Sequence, residues 1–362
     1  MKKRIVALLL MMTMVLSMVS CGKKDGAEES KSEKVLTVAD LYDKAAEMDA
    51  KTADITMEFD LSGISENTTG IGKIGIKMAS VVEDKTNLKT STQVSYRLGD
   101  AQEYTPITTV ICDNKTIYMD YATLKKAAIQ LLTDINQTKY LTVVGLLPDA
   151  TYVKFDEATM KQYVTSTTGE EVPEVVNMEE DKVLQEVIMA VGKFVGQTIE
   201  DATKDVNPAV ITGSKDGIKV LITKENLGAT CEAFEKLDLN AKYDELISKV
   251  KEVKGADQYV KDITESKTDV VKTITDSLKE TKTEIANFKE YNMEGNATIT
   301  GEAGKREYKA SVSMKAEDNK DRVEGNISVN TGEEITDDRK VVVPEDATDF
   351  NTFMQQIATM FN

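Results

Sequence analysis

The strongest regularity in the chain is an alternation of apolar and polar residues. In ADITMEFDLSG, Ile55, Met57, Phe59 and Leu61 alternate with Asp54, Thr56, Glu58, Asp60 and Ser62. A period of two sends successive side chains to opposite faces, so this stretch predicts a strand with one apolar and one wet face. The pattern recurs in IGIKM, through Ile74, Ile76 and Met78, and in LKTSTQVSYRL. TTVICDN and KTIYMDY follow, with Asp113-Asn114 as the tight turn between them. Connections this short make successive strands antiparallel. Near the other end NATIT, REYKASVSMKA and RVEGNISVN alternate again, with Tyr308, Ala310, Val312, Met314 and Ala316 facing one way. DRKVVVP predicts one more strand, stopped by Pro344.

Around the strands the apolar spacing changes to three and four. Thr37 or Asp40 opens a helix whose apolar side holds Leu41, Ala45, Ala46 and Met48. A second helix follows Tyr121, through Leu124, Ala127, Ala128, Leu131, Leu132 and Ile135. TYVKF (151–155) and IKVLIT (218–223) read as strands, and residues 180–199 as an apolar-faced helix. Another helix begins near Glu225 and carries Cys231, Phe234 and Leu237. Residues 241–290 read as helical with a break at Gly255. From Val260 the apolar positions run through Ile263, Val270/Val271, Ile274, Leu278, Ile285 and Phe288, with Lys267 and Thr281 interrupting the seam. Spacing near 3.5 admits a coiled coil, but packing against the protein's own sheet is the expectation. A last helix runs from about Asp346 through Phe350, Phe353, Ile357 and Met360.

These elements predict an α+β fold, a curved antiparallel meander with amphipathic helices covering its apolar face. The body spans residues 37–362: an N-terminal meander (53–121), a mixed helical middle (122–290), and a C-terminal meander and helix (291–362). The two ends share an order of helix, one-sided strands and helix, and NKTIYMDYATLKKAAIQLL parallels DRKVVVPEDATDFNTFMQQI, suggesting a duplicated helix–meander–helix unit. Strands do not alternate regularly with helices, which argues against a βαβ-built periplasmic-binding-protein fold.

The N terminus departs from both periods. Lys2, Lys3 and Arg4 precede an uncharged run from Ile5 to Ser20. As a helix that run is roughly 24 Å long, short of the ~30 Å hydrocarbon core, and it matches a secretory signal peptide. Met18-Val19-Ser20-Cys21, followed by Gly22, resembles the lipobox of bacterial lipoproteins, with Met18 where Leu is usual. The resemblance implies a diacylglyceryl group on the Cys21 sulfur and cleavage between Ser20 and Cys21. Residues 1–20 are then a signal peptide, and 21–36 the lipidated cysteine and a polar tether of roughly 20 Å r.m.s. reach. Acyl chains in the bilayer would hold the protein on the extracytoplasmic face of the cell membrane, two chains durably where one is marginal. The alternative is a secreted protein in which Cys21 is incidental.

Charge and missing residue types narrow the chemistry. The formal net charge is −17, and loss of Lys2, Lys3 and Arg4 leaves 42 basic against 62 acidic residues, or −20. Such a body repels nucleic acid and anionic headgroups. With no histidine there is no Ser-His-Asp or Cys-His pair, imidazole base or imidazole metal ligand. The expectation is a non-enzymatic protein without a cofactor or metal. With Cys21 committed to lipid, Cys112 and Cys231 either join in a disulfide or sit as separate apolar residues. The acidic runs 170–181 and 316–325 lack the EF-hand order and read as a solvated loop and a hairpin turn. Met57, Met78 and Met314 occupy inward strand positions and read as core.

A Cys-anchored exported chain with an N-terminal helix, a one-sided meander and sheet-covering helices is similar to the LolA/LppX-type carriers, DNKTIYMDYATLKKAAI being the most similar segment. In those families a half-open barrel holds lipid or lipoprotein acyl chains between sheet and helices. The resemblance carries no individual site residue. It implies a lipid or other apolar or amphipathic ligand between sheet and helices. The rival is an envelope surface-interaction or structural lipoprotein whose helices simply complete the core.

Overall fold

The period-two segments form strands and the period-3.6 segments form helices, giving the α+β, largely antiparallel meander that the alternation predicts. The structure is a computed structural model and describes residues 35–63, 72–85, 87, 89–156, 158, 159, 161, 162, 165 and 178–361. Among these are twelve strands and eight α-helices. The chain divides into two compact units, one of residues 1–50, 58–68 and 178–333, the other of 51–57, 69–177 and 334–362. The helical middle is thus shared out, and the C-terminal helix returns to the unit of the N-terminal meander.

The C-terminal meander unit has the strand order β11 (Arg322–Gly332), β10 (Glu307–Glu317), β9 (Glu290–Thr300), β8 (Gly217–Thr223), β7 (Ile211–Gly213), all antiparallel. The end of β1 (Thr52–Asp60) also belongs here, where the Phe59 ring lies against Gly325 of β11. Opposed residues of paired strands share a face. One face is sealed: Tyr291, Met293, Gly295, Ala297 and Ile299 of β9, and Tyr308, Ala310, Val312, Met314 and Ala316 of β10, are all buried. Helix α1 (Val38–Ala46) covers one half through Val38, Leu41, Tyr42 and Ala45. Helix α5 (Lys224–Glu235), with Leu227 and Cys231, belongs to the cluster over the other half.

The covering helices are held by their ends. Thr37 caps α1 by accepting from the Asp40 N–H, while the Asp40 carboxylate accepts from the Thr37 N–H, a capping box. Lys193 of α4 (Met178–Thr203) pairs with Asp43 at 2.6 Å. Gly196 lets α4 approach α1, because a methyl there would sit 2.3 Å from Val38 Cγ1. The buried Glu333 carboxylate accepts from the N–H groups of Asp49 and Arg306, both at 2.9 Å, joining the exit of α1 to the start of β10. Helices α6 (Leu239–Lys251) and α7 (Asp257–Glu284) follow, separated at Gly255, whose φ of +86° suits glycine. Contrary to the sequence expectation, α7 packs chiefly on α6 and α5; its Leu278, with Ile285 of the 3₁₀ turn that follows it, reaches the cluster built on the sheet.

In the N-terminal meander unit the order is β12 (Thr348–Asp349), β6 (Tyr152–Asp156), β5 (Thr116–Asp120), β4 (Thr105–Asp113), β3 (Lys89–Leu98), β2 (Lys73–Asp84), then the first part of β1. From β2 to β6 the pairing is antiparallel, and β12 pairs with β6 in parallel. Asn114 and Lys115, with φ of 51° and 73°, make the two-residue turn between β4 and β5, one position beyond the expected turn. DRKVVVP is not a strand: Asp337–Arg339 is a single 3₁₀ turn and residues 340–344 are irregular. The segment is instead a strap. Arg339 donates to both Asp54 oxygens at 3.0 Å and to the Ser80 carbonyl at 3.1 Å, and the Val341 N–H donates to Glu83 at 2.7 Å. Lys89 holds the Glu83 carboxyl below its ordinary value. These bonds to side chains replace a strand ladder, so the second segment of the suggested duplication lacks its strand. Helix α8 (Phe350–Phe361) starts later than expected because Thr348 and Asp349 pair with β6.

The two units thus cover similar apolar stripes to different extents. Met293→Ala, at a site with no exposure, is expected to cost about 2–5 kcal/mol. Met78→Ala, on a half-buried position of β2, is expected to cost about 1 kcal/mol or less. Urea unfolding followed by circular dichroism measures both, and equal losses would contradict the difference in cover.

Candidate functional site

The candidate site is the helix-side face of the N-terminal meander. Strand register assigns to it Ile74, Ile76 and Met78 of β2, Val94, Tyr96 and Leu98 of β3, Val110 and Cys112 of β4, Ile117 and Met119 of β5, and Val153 and Phe155 of β6. Of these twelve only Tyr96 and Val153 are buried. Ile55 and Met57 of β1 point the same way, because Asp54 between them and the strand start meets Arg339 of the strap on the other face. The strap-side face is closed by Val81, Ile111 and Val341, with Tyr118, Tyr152, Ile335 and Val343 around them.

Helix α2 (Tyr121–Asp134) begins directly at the end of β5, so it is carried back over this face. The Asp120 carboxylate caps it, accepting from the Thr123 N–H at 2.9 Å, and the Thr151 carbonyl accepts from the N–H groups of Tyr121 and Ala122. Tyr121 packs with Val153 and Phe353, its ring edge-on to Phe353 at 4.6 Å between centroids, which brings α8 onto the same end. Cover stops there. Of α2 only Tyr121 and Ala127 are buried, while Leu131 and Ile135 of the expected apolar stripe are exposed. The apolar side chains of β2 and β3 remain half open.

Two hydroxyls on this side have no partner. Among the described residues, Tyr96 and Tyr121 each bury a phenol oxygen that makes no hydrogen bond; the third such group, Thr331 Oγ1, lies in the other unit. A buried hydroxyl without a partner costs about 1–3 kcal/mol, and each phenol can donate to an acceptor brought to this face. Burial raises both phenols, and Asp134 beside Tyr96 and Asp149 beside Tyr121 raise them further, so both stay protonated donors at neutral pH. The sequence held a signal for Tyr96: it falls in the apolar phase of QVSYRL, a polar tip on an apolar stripe.

Ser20 and Cys21, the expected cleavage and lipid-attachment residues, lie outside the described residues. Cys112 and Cys231 are free thiols in separate units, so the disulfide alternative is not formed. Cys231 is buried and its thiol is pushed up to about 11; half-buried Cys112 is raised by burial and by Asp113. Most of the acidic run 170–181 is outside the described residues; 316–325 is the β10–β11 hairpin, with Asp318 accepting from the N–H groups of Lys320 and Asp321. No group of three or more potential metal-ligating side chains occurs among the described residues. No described helix is long and apolar enough to cross a membrane.

Compared with known proteins, the chain matches no family model, no curated sequence and no solved structure.

Tyr96→Phe removes a partnerless hydroxyl and nothing else. In ligand-free protein it is expected to be neutral or to stabilise by up to about 1 kcal/mol in urea titration. A loss of about 1 kcal/mol would mean that the hydroxyl has a partner within the protein.

Proposed function

We propose that the chain is a bacterial lipoprotein, anchored on the extracytoplasmic face of the membrane through Cys21, whose N-terminal meander unit binds an apolar or amphipathic ligand between its sheet and helices α2 and α8. The role is binding, not catalysis. The observation that carries the ligand reading is the contrast between similar stripes. All ten alternating positions of β9 and β10 are buried, whereas ten of the twelve helix-side residues named above on β2 to β6 are not. Covering roughly 300 Å² of such surface with an acyl chain would contribute about 7 kcal/mol before the costs of binding.

The chemistry of the face selects the ligand class. Ile74, Ile76, Met78, Val94 and Leu98 suit hydrocarbon, and the flexible Met78 thioether adapts to irregular shapes. The Tyr96 and Tyr121 phenols supply donors for a hydrogen-bond acceptor at the polar end. The resemblance of the element order to LolA/LppX-type carriers supports the same class. The anchor reading rests on the lipobox-like Met18-Val19-Ser20-Cys21.

Native mass spectrometry of protein purified from its own host is expected to show a retained apolar small molecule. Fluorescent fatty-acid probes should bind the emptied protein, and Met78→Lys should weaken them about tenfold or more by placing a charge on the half-covered face. An empty protein that binds no probe would remove the ligand reading and favour a surface-interaction lipoprotein. Separately, Cys21→Ala should move the protein from the membrane to the soluble or exported fraction. Wild-type membrane levels would overturn the anchor.

A further inference from the structure

Beyond α2 the chain forms a short arm: a 3₁₀ turn at Thr138–Tyr140 and helix α3 (Leu141–Leu146). Its shape is built, not loose. Asn136, at φ 57°, ends α2 with a paired closure in which the Gln137 N–H donates to the Leu132 carbonyl and the Asn136 N–H to the Thr133 carbonyl. At the far end Lys125 of α2 donates to the Leu147 carbonyl at 2.6 Å and pairs with Asp149 at 2.9 Å, tying the base of α3 back to α2. Yet this fixed arm turns its large apolar side chains to solvent. Tyr140 is 48% exposed, Val143 48% and Leu146 55%, with Leu131 of α2 and Ile135 just past its end exposed as well.

We propose that the α2–α3 arm is a membrane-docking surface, its apolar side chains entering the headgroup–acyl boundary of the bilayer. Charge singles out that occupant. The chain has 62 acidic residues in 362, about one in six, but from Ile135 to Pro148 there is none, and the sole charge is Lys139. Lys139 Nζ stands 4.8 Å from the centre of the Tyr140 ring, and Lys126 is also exposed. An aromatic ring with a lysine above it, next to aliphatic side chains, matches a membrane interface, where the ring sits at headgroup level and the ammonium reaches phosphate. A second copy of this chain is a poorer occupant, because the cleaved chain would bring a net charge of −20 against the same charge. At six residues α3 is far too short to span, so it would lie on the surface.

The inference draws on the anchor reading, since a lipid on Cys21 would hold the chain at the membrane surface and raise the arm's effective concentration there. The test separates the two. The chain has no tryptophan, so a single introduced Trp reports its own surroundings. Val143→Trp marks the arm, and Val342→Trp, 75% exposed on the strap across the other sheet face, marks a control. Each full-length lipidated variant is placed on vesicles of brominated phosphatidylcholine and phosphatidylglycerol, with flotation recording attachment. The expected result is that the Trp at 143 shifts to the blue and loses most of its emission to bromine, while the Trp at 342 keeps its own. Protein that floats with an unquenched Trp at 143 overturns the docking arm and leaves the anchor standing. A blue shift without quenching means a protein partner and overturns it too, as does equal quenching at both positions. Protein that fails to float overturns both readings.

Discussion

An antiparallel sheet that is apolar on one face must have that face covered, and the rest of this structure depends on how each unit meets that requirement. In the C-terminal meander unit α1 and α5 lie side by side on β8 to β10, and Met293, Val312 and Ala316 are almost wholly removed from water. Three further helices build a second layer there, with their own cluster around Val187, Leu246 and Val250. In the N-terminal meander unit α8 meets the sheet at the β6 end, through Phe353 against Tyr121 and Val153, while α2 packs chiefly on β4. Among the described residues, no helix covers the apolar side chains of β2 and β3 to the same degree.

Local pattern therefore made the elements legible but not their closure. Tyr308 to Ala316 and Ile74 to Met78 alternate alike, yet the first set is buried and the second half open. Which helix reaches which strand is a non-local fact, set here by where β5 hands over to α2 and by Asn136 ending that helix early. DRKVVVP misled for a related reason. Three valines favour a strand, but Arg339 finds Asp54, and the Val341 N–H finds Glu83, 285 and 258 residues away in sequence. Those side-chain bonds outcompete a ladder. The 3.5-spaced seam of α7 was visible, but its partners are α5 and α6, not chiefly the sheet. Of the candidate site, the apolar stripe was readable; the lone hydroxyls of Tyr96 and Tyr121 were not, because lacking a partner is a property of the packed state.

Polar groups mark the difference between structural and available positions. Glu333 is buried but fully engaged, accepting from Asp49 and Arg306, and it closes a joint. Among the described residues the Tyr96 and Tyr121 hydroxyls are buried without a hydrogen-bond partner, on the side where apolar cover is also thinner. Incomplete cover and an unmet donor on one face are what an amphipathic ligand would supply together: hydrocarbon against Ile76 and Val94, and an acceptor for a phenol. On the proposed reading, the acidic exterior keeps the body solvated while the acid-free arm beyond α2 meets lipid.

The native thiol of Cys112 offers the most direct measurement, since it lies half-buried on the helix-side face opposite Ile117 while Cys231 is buried in the other unit. Its rate of alkylation by a small maleimide can be followed by peptide mass spectrometry with and without a saturating medium-chain alcohol. The account predicts that the alcohol slows alkylation of Cys112 in proportion to occupancy, with Cys231 unreactive throughout. A Cys112 rate that stays unchanged at saturation, with Cys231 still protected, would contradict a ligand on this face.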